Sequence, residues 1–427
     1  MLKVAYIGGG SMFLPSIYNG VAHEAAALGD AGEAVHFALY DIAPERAQRM
    51  ARYAEIVADG LGVPLSASVP GSLEEAIEGA GLVFLSIALP GLHEGWQALA
   101  GRFPLEPHGE GPARTAYEGA KVFEVCLHIG EAMARRAAPN AVFATLVNPT
   151  DVLAGAFERR FGIPSCGVCC EVGGLIGMLA HYLGCRFDDF EVEHVGVNHL
   201  GWATGIAIRG EDAYPMIRER LPELARRPDF YPVSLKMPPI LELTGCLQSS
   251  AYHRWPYTAG EGVDWEAAMK PWAGKRERRR DALERALQTG EPIADDEPVH
   301  PELSVFQYRE LGRHIGQMMA AMATGSPRVV PLQVANRGAT GQFPAESIVE
   351  VPTLVAGTRI EPQAVGAVPE WLIATERATA ISRTCIARYL AEPRLATLHE
   401  ALAVFPMYGA VEQMLGFAAA LHAEYVG

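Results

Sequence analysis

Leu2 to Ile7 is an apolar run, interrupted by Lys3, that leads into Gly8-Gly9-Gly10-Ser11, and helix-compatible sequence follows from Pro15. A buried strand, a turn without side chains and a helix in immediate succession leave few alternatives. The glycines let the backbone turn sharply and let a diphosphate approach the free amides at the helix start. Gly8 and Gly10 fill the first two glycine places of the G-x-G-x-x-G fingerprint, and Phe13 stands at the third, where glycine permits close packing of helix on strand. A second apolar run, AVHFALYD, ends in Asp41. A carboxylate there accepts ribose hydroxyls and repels a 2′-phosphate, so Gly8, Gly9, Gly10, Ser11, Met12 and Asp41 are expected to bind NAD rather than NADP.

The runs GLVFLSIA and AVFATLVN continue the alternation with helix-compatible stretches. Such alternation predicts an α/β fold with a Rossmann-type, doubly wound parallel sheet. Beyond about Val195 the pattern changes. YPMIRERLPELARRPDFYPVS, VDWEAAMKPWAGKRERRRDALERAL and the closing segments from Ala374 onward read as helices, while ESIVEVPTLVAG reads as a strand pair or a strand with an edge. The expected division is a NAD-binding domain, residues 1–195, and a mixed, mostly helical domain, residues 196–427, for substrate, metal and subunit contacts. No linker rich in Pro, Gly and Ser separates them, so they should pack around a cleft.

Charge and composition narrow the partners. The net charge of −15 repels nucleic-acid backbones and anionic lipid, and the run KRERRR at Lys275 to Arg280 reads as a solvated helix face. Seven cysteines in no repeating framework read as reduced thiols. The start MLKVAYIGGG lacks a signal-peptide layout, and GLVFLSIALPGL is too short to cross a bilayer. A cytoplasmic protein is expected, assembled as a homodimer or homotetramer, with a small molecule as its partner and neither nucleic acid nor membrane.

Two further residues carry chemistry. Cys169 follows the strand-like GIPSCGV, and His199 follows Asn198 in VGVNHLGW. A thiolate and an imidazole could share one divalent ion and leave its other positions to substrate oxygens and water. Taken singly, a buried cysteine is usually a small hydrophobe and a lone histidine a hydrogen-bonded core residue.

The order Gly8-Gly9-Gly10-Ser11, Asp41, Asn148-Pro149, Gly167-Val168-Cys169, Asn198-His199, Tyr252-His253-Arg254 and GQFPAESIVEVP resembles glycoside hydrolase family 4, the NAD- and divalent-metal-dependent glycosidases. The resemblance runs nearly the whole length and implies a second half like that of lactate and malate dehydrogenases. It implies that Cys169 and His199 hold Mn²⁺ or a similar ion, that Tyr252 is the catalytic base with Tyr257 as a rival, and that Asn148 and Arg254 contact substrate. The implied reaction oxidises the sugar at C3 with bound NAD⁺, removes the C2 proton, eliminates the C1 substituent, adds water and returns the hydride. It departs from ordinary glycoside hydrolysis, in which a pair of carboxylates does the work. Asn148 before Pro149 is also a favoured helix start.

Some segments depart from the family. SIALPGLHEGW resembles the uronic-acid-active branch more than the 6-phosphoglucosidases, and PHGEGPARTAYEGAK replaces a substrate-contact region, leaving His108 and Arg114 as candidates there. Cys170 follows the cysteine ligand, and Glu171 is a candidate acid or a solvated residue. A plain NAD-dependent 2-hydroxyacid dehydrogenase and an NAD-binding regulatory homologue without catalysis remain alternatives.

Overall fold

The structure, a computed structural model, describes residues 1–103, 111–226, 237–249, 275–293, 305–404 and 411–426. Tyr252, Arg254, Tyr257 and His108 lie outside the described residues. In chain order the first strands are β1 (Leu2–Ile7), β2 (Val35–Tyr40), β3 (Leu65–Ser68), β4 (Leu82–Leu85), β5 (Val142–Thr145) and β6 (Ser165–Gly167). They pair in parallel in the order β3-β2-β1-β4-β5-β6, the doubly wound arrangement the alternation predicts. β4 (LVFL) and β5 (VFAT) are buried throughout, because helices cover both faces of a parallel sheet.

The sheet does not end at β6. β7 (Phe190–Val197), β8 (Leu200–Ile208), β9 (Glu211–Asp212), β10 (Leu247–Gln248), β11 (Arg328–Ala335), β12 (Ile348–Ala356) and β13 (Arg359–Pro362) extend it. Among the described residues it has 13 strands, continuing from β6 through β11, β12, β7, β8 and β10 in antiparallel pairs. Residue 195 lies inside β7. The segment expected to be a strand pair or edge is β12, an interior strand between β11 and β7, with β13 pairing beside it. The helices beyond β8, among them Tyr214–Leu224, Val305–Thr324 and Ala374–Ala391, give this half its mixed, mostly helical character. No described helix is long and apolar enough to cross a membrane.

One helix crossing sets the position of the glycine turn. Leu14–His23, the helix that starts at that turn, packs so closely on Val305–Thr324 that no side chain separates the backbones. A Cβ on Gly20 would lie 1.8 Å from the carbonyl oxygen of Gly312, and one on Gly312 would lie 1.9 Å from that of Ser16. The closest backbone approach of this helix is therefore at Gly20, and it is made against another helix rather than against a strand. Phe13 lies partly buried against the core.

His194 on β7 and His314 on Val305–Thr324 are both buried. Burial lowers His194 from 6.5 to about 4, and burial, then His194 and Arg313, lower His314 from 6.5 to about 3. Both rings stay neutral in the folded chain, while the unfolded chain protonates them below about 6.5. Their contribution is therefore complete above that pH and is lost as pH falls toward about 4 and then about 3. The loss is about 1.4 kcal/mol per pH unit for each ring. His314→Leu is expected to lose about 2 kcal/mol less than the unmodified chain between pH 6.5 and 5, read from urea midpoints. An unchanged pH profile would show that His314 is protonated in the folded state.

Candidate active site

The glycine turn is braced by the two strands that flank β1. Gly8 and Gly9 donate their amides to the Tyr40 carbonyl at the end of β2, at 2.8 and 2.9 Å. Gly8 has φ of 99°, and a Cβ there would lie 2.1 Å from the Ser86 carbonyl oxygen beyond β4. Ser11 Oγ and Ser86 Oγ are hydrogen-bonded at 3.0 Å. Asp41 accepts from the Gly10 amide at 2.8 Å and the Ala43 amide at 2.9 Å. Its carboxylate thus holds the turn in place, and each oxygen keeps a second lone-pair direction for a ribose hydroxyl. Turn, helix start and acid fit a dinucleotide. Met12 is partly buried against the core.

The basic run is not wholly solvated. It begins the helix Lys275–Thr289, where Arg278 and Arg280 are exposed while Arg279 is half-buried over the Phe13 ring, 5.8 Å from its centroid. Arg114, offered as a substrate contact, pairs with Glu118 at 2.7 Å.

Three chain segments meet at the second part of the site. Asn148, joined to Pro149 by a cis peptide bond, follows β5 and is exposed. Cys169 and Cys170 follow β6 just before the helix Glu171–Leu183, and Asn198-His199 forms the turn between β7 and β8. His199 has φ of 61°, a left-handed conformation. Asn198 Nδ2 donates to Asn148 Oδ1 at 3.1 Å, and His199 Nε2 stands 3.8 Å from Glu171 Oε1. Glu171 is buried, so the option of a solvated carboxylate does not hold.

All seven cysteines are free thiols. The hydrogen bond between the thiols of Cys169 and Cys170, then burial, then the Glu350 and Glu171 carboxylates hold Cys169 up; the same bond lowers Cys170, with His199 assisting. Thiol, imidazole and carboxylate at this junction are a donor set suited to a borderline divalent ion. Among the described residues no group of three or more His, Cys, Asp or Glu side chains stands in metal-holding geometry.

Sequence reasoning missed the groups beneath this junction. Gly167, Gln333, Glu350 and Gly196 are register neighbours across β6, β11, β12 and β7. Directly paired residues project to the same face, so Gln333 and Glu350 stand side by side between two glycines. A Cβ on Gly167 would lie 2.4 Å from Gln333 Oε1, so glycine is what leaves room for that side chain. Burial, then Glu171, raises Glu350 from 4.5 to about 8. Its signal in the sequence was a single carboxylate inside the apolar strand IVEVPTLVA. Arg383, on Ala374–Ala391, donates to Asp151 Oδ2 and to the Asn198 carbonyl, each at 2.7 Å, with both side chains buried.

Residues 3–185 match the family 4 glycosyl hydrolases, and residues 194–403 match the C-terminal domain of that family. The chain is 24% identical over 400 residues to the alpha-galactosidase of Bacillus subtilis (strain 168), covering 88% of this chain and 86% of that protein. It is 24% identical over 402 residues to the alpha-galacturonidase of the same organism, covering 86% and 85%. Its fold is similar to the 6-phospho-beta glucosidase of Thermotoga maritima solved with manganese, NAD⁺ and glucose-6-phosphate, with a TM-score of 0.73, 17% identity and coverage of 100% and 99%. The two family matches take in the glycine turn, the cysteine loop and the Asn198-His199 turn, and the chain belongs to glycosyl hydrolase family 4.

Proposed function

We propose that this chain hydrolyses a glycoside with NAD⁺ and a divalent cation such as Mn²⁺ bound at the junction just described. The observation that carries this reading is the meeting of the Asn198-His199 turn with the loops after β5 and β6, through the contacts of Asn198 with Asn148 and of His199 with Glu171. Membership of family 4 and the manganese- and NAD⁺-bound relative support it. When bound, the two groups supply reversible oxidation at C3 and Lewis-acid stabilisation of charge on the sugar oxygens.

The chain's residues divide the remaining work. Gly8, Gly9, Gly10, Ser11, Met12 and Asp41 hold the dinucleotide, and Cys169 and His199 hold the cation. Coordination would deprotonate the Cys169 thiol. Asn148 contacts ligand. Tyr252 takes the C2 proton and Arg254 binds the substrate. A phenol with an ordinary pKa near about 10 needs neighbouring positive charge to work at neutral pH, which Arg254 and the cation supply. Residues 1–195 form the dinucleotide unit and 196–427 the substrate and subunit unit of a cytoplasmic homodimer or homotetramer.

Cleavage of a chromogenic glycoside is expected to require both NAD⁺ and Mn²⁺, with no net NADH formed. Product made in D₂O should carry deuterium at C2. Cys169→Ser should weaken Mn²⁺ binding by at least about tenfold, read by calorimetry on the NAD⁺-loaded protein. Steady NADH accumulation from a 2-hydroxyacid, insensitive to chelator, would sink this reading. A panel of glucuronides, galacturonides, galactosides and 6-phosphosugars identifies the sugar.

A further inference from the structure

Cys170 stands directly after the thiol read as a cation ligand, and the proposed reaction makes no use of it. β6 ends at Gly167, and the next helix begins at Glu171. Side chains that follow one another along a strand point to opposite faces. Cys170 has already left the strand. As the residue that caps the helix it has φ of −90° and ψ of −3°, and its thiol is hydrogen-bonded to that of Cys169. Both thiols are free. Cys169 is 5% exposed, whereas Cys170 is half-buried and is the sulfur a small oxidant reaches first.

We propose that Cys169 and Cys170 are a modification site, joined by hydroperoxides into a reversible disulfide that releases the cation by removing its thiolate ligand. The inference rests on the reading above that Cys169 holds the cation. With hydrogen peroxide as oxidant the steps balance. The Cys170 sulfur attacks one peroxide oxygen, the O–O bond breaks, and a sulfenic acid and one water result. The Cys169 sulfur then attacks that of Cys170, the S–O bond breaks, and a second water leaves. Two thiols lose two protons and two electrons, and the peroxide is reduced to two waters.

A disulfide sulfur is no longer the thiolate that binds a metal. Adjacent Cα atoms lie about 3.8 Å apart across a trans peptide, below the roughly 4.4 Å at which ordinary disulfides begin. The bond is therefore strained, and strained disulfides are the ones most readily reduced. Without Cys170, excess peroxide would carry the Cys169 sulfur on to a sulfinic acid, which thiols do not reverse. Cys170 thus keeps oxidation of the ligand reversible.

The experiment treats the full-length, NAD⁺-loaded protein with excess hydrogen peroxide before Mn²⁺ is added. Remaining thiols are alkylated, and the peptide carrying Cys166, Cys169 and Cys170 is read by tandem mass spectrometry. The expected product is lighter by two hydrogens, with only Cys166 alkylated. Mn²⁺ affinity by calorimetry should fall at least about tenfold and return with dithiothreitol. Cys170→Ser should bind Mn²⁺ normally when reduced. After the same peroxide treatment its Cys169 should carry added oxygen, and its Mn²⁺ affinity should not return. Oxygen retained on Cys169 in the unmodified chain, or a bond from Cys169 to Cys166, would overturn the pairing. Full recovery of Cys170→Ser with dithiothreitol would overturn the role given to Cys170. Absence of Mn²⁺ binding in the reduced, unmodified chain would sink the ligand reading, and the release of the cation with it, whatever the sulfur chemistry.

Discussion

Arg383→Met is expected to lower the free energy of unfolding by about 3–5 kcal/mol, the range for breaking a buried ion pair on one side. Asp151 is 1% exposed and Arg383 8%, so the variant leaves a buried carboxylate without its cation. The same guanidinium nitrogen also holds the Asn198 carbonyl, which the variant leaves without that donor. Chemical denaturation measures the loss. Adding Asp151→Leu should recover much of the stability, because apolar replacement of a whole buried pair is often neutral. It should not recover activity, since the Asn198-His199 turn still lacks the donor that holds it with His199 at φ of 61°. A stability loss under about 1 kcal/mol in Arg383→Met would show that water reaches Asp151 after all.

The second large effect is expected at the helix crossing. In Gly312→Val a Cβ would begin 1.9 Å from the Ser16 carbonyl oxygen, where even a tight contact needs 3.0 Å. Both partners are backbone, so no side chain can swing aside and the helices must separate. Overpacking costs about 1–3 kcal/mol where side chains can adjust, and the upper end or more is expected here. The displaced helix starts at the glycine turn, so NAD⁺ affinity should fall together with the thermal midpoint. Gly29→Ala is the control, because a Cβ there meets nothing within 4 Å. Retention of normal NAD⁺ affinity in Gly312→Val would separate the crossing from the turn.

The parallel half of the fold was legible because its strands and helices are local patterns. Strand, glycine turn, helix and acid follow one another within Leu2 to Asp41, and the structure puts Asp41 on the Gly10 amide. Cys169 and His199 could be singled out by residue type, but their relation depends on which strands become neighbours. β11 and β12 were harder to place. Both carry a proline, which ordinarily argues against an interior strand. Pro331 lies opposite Pro352, and the ladder bond from the Asn336 amide to the Ser347 carbonyl sets the alternation so that this pair is not hydrogen-bonded. Neither proline therefore interrupts the ladder between the two strands. Gln333 and Glu350 became visible only once that register was known, and local periodicity holds no information about it. Tyr252 and Arg254 lie outside the described residues, so their roles rest on the family resemblance.

The unbroken ladder from β3 to β10 constrains how a ligand can enter. Parting the two halves like jaws would tear backbone hydrogen bonds between β6 and β11, in the middle of the sheet. A ligand that leaves this sheet intact therefore has to enter past segments outside the ladder.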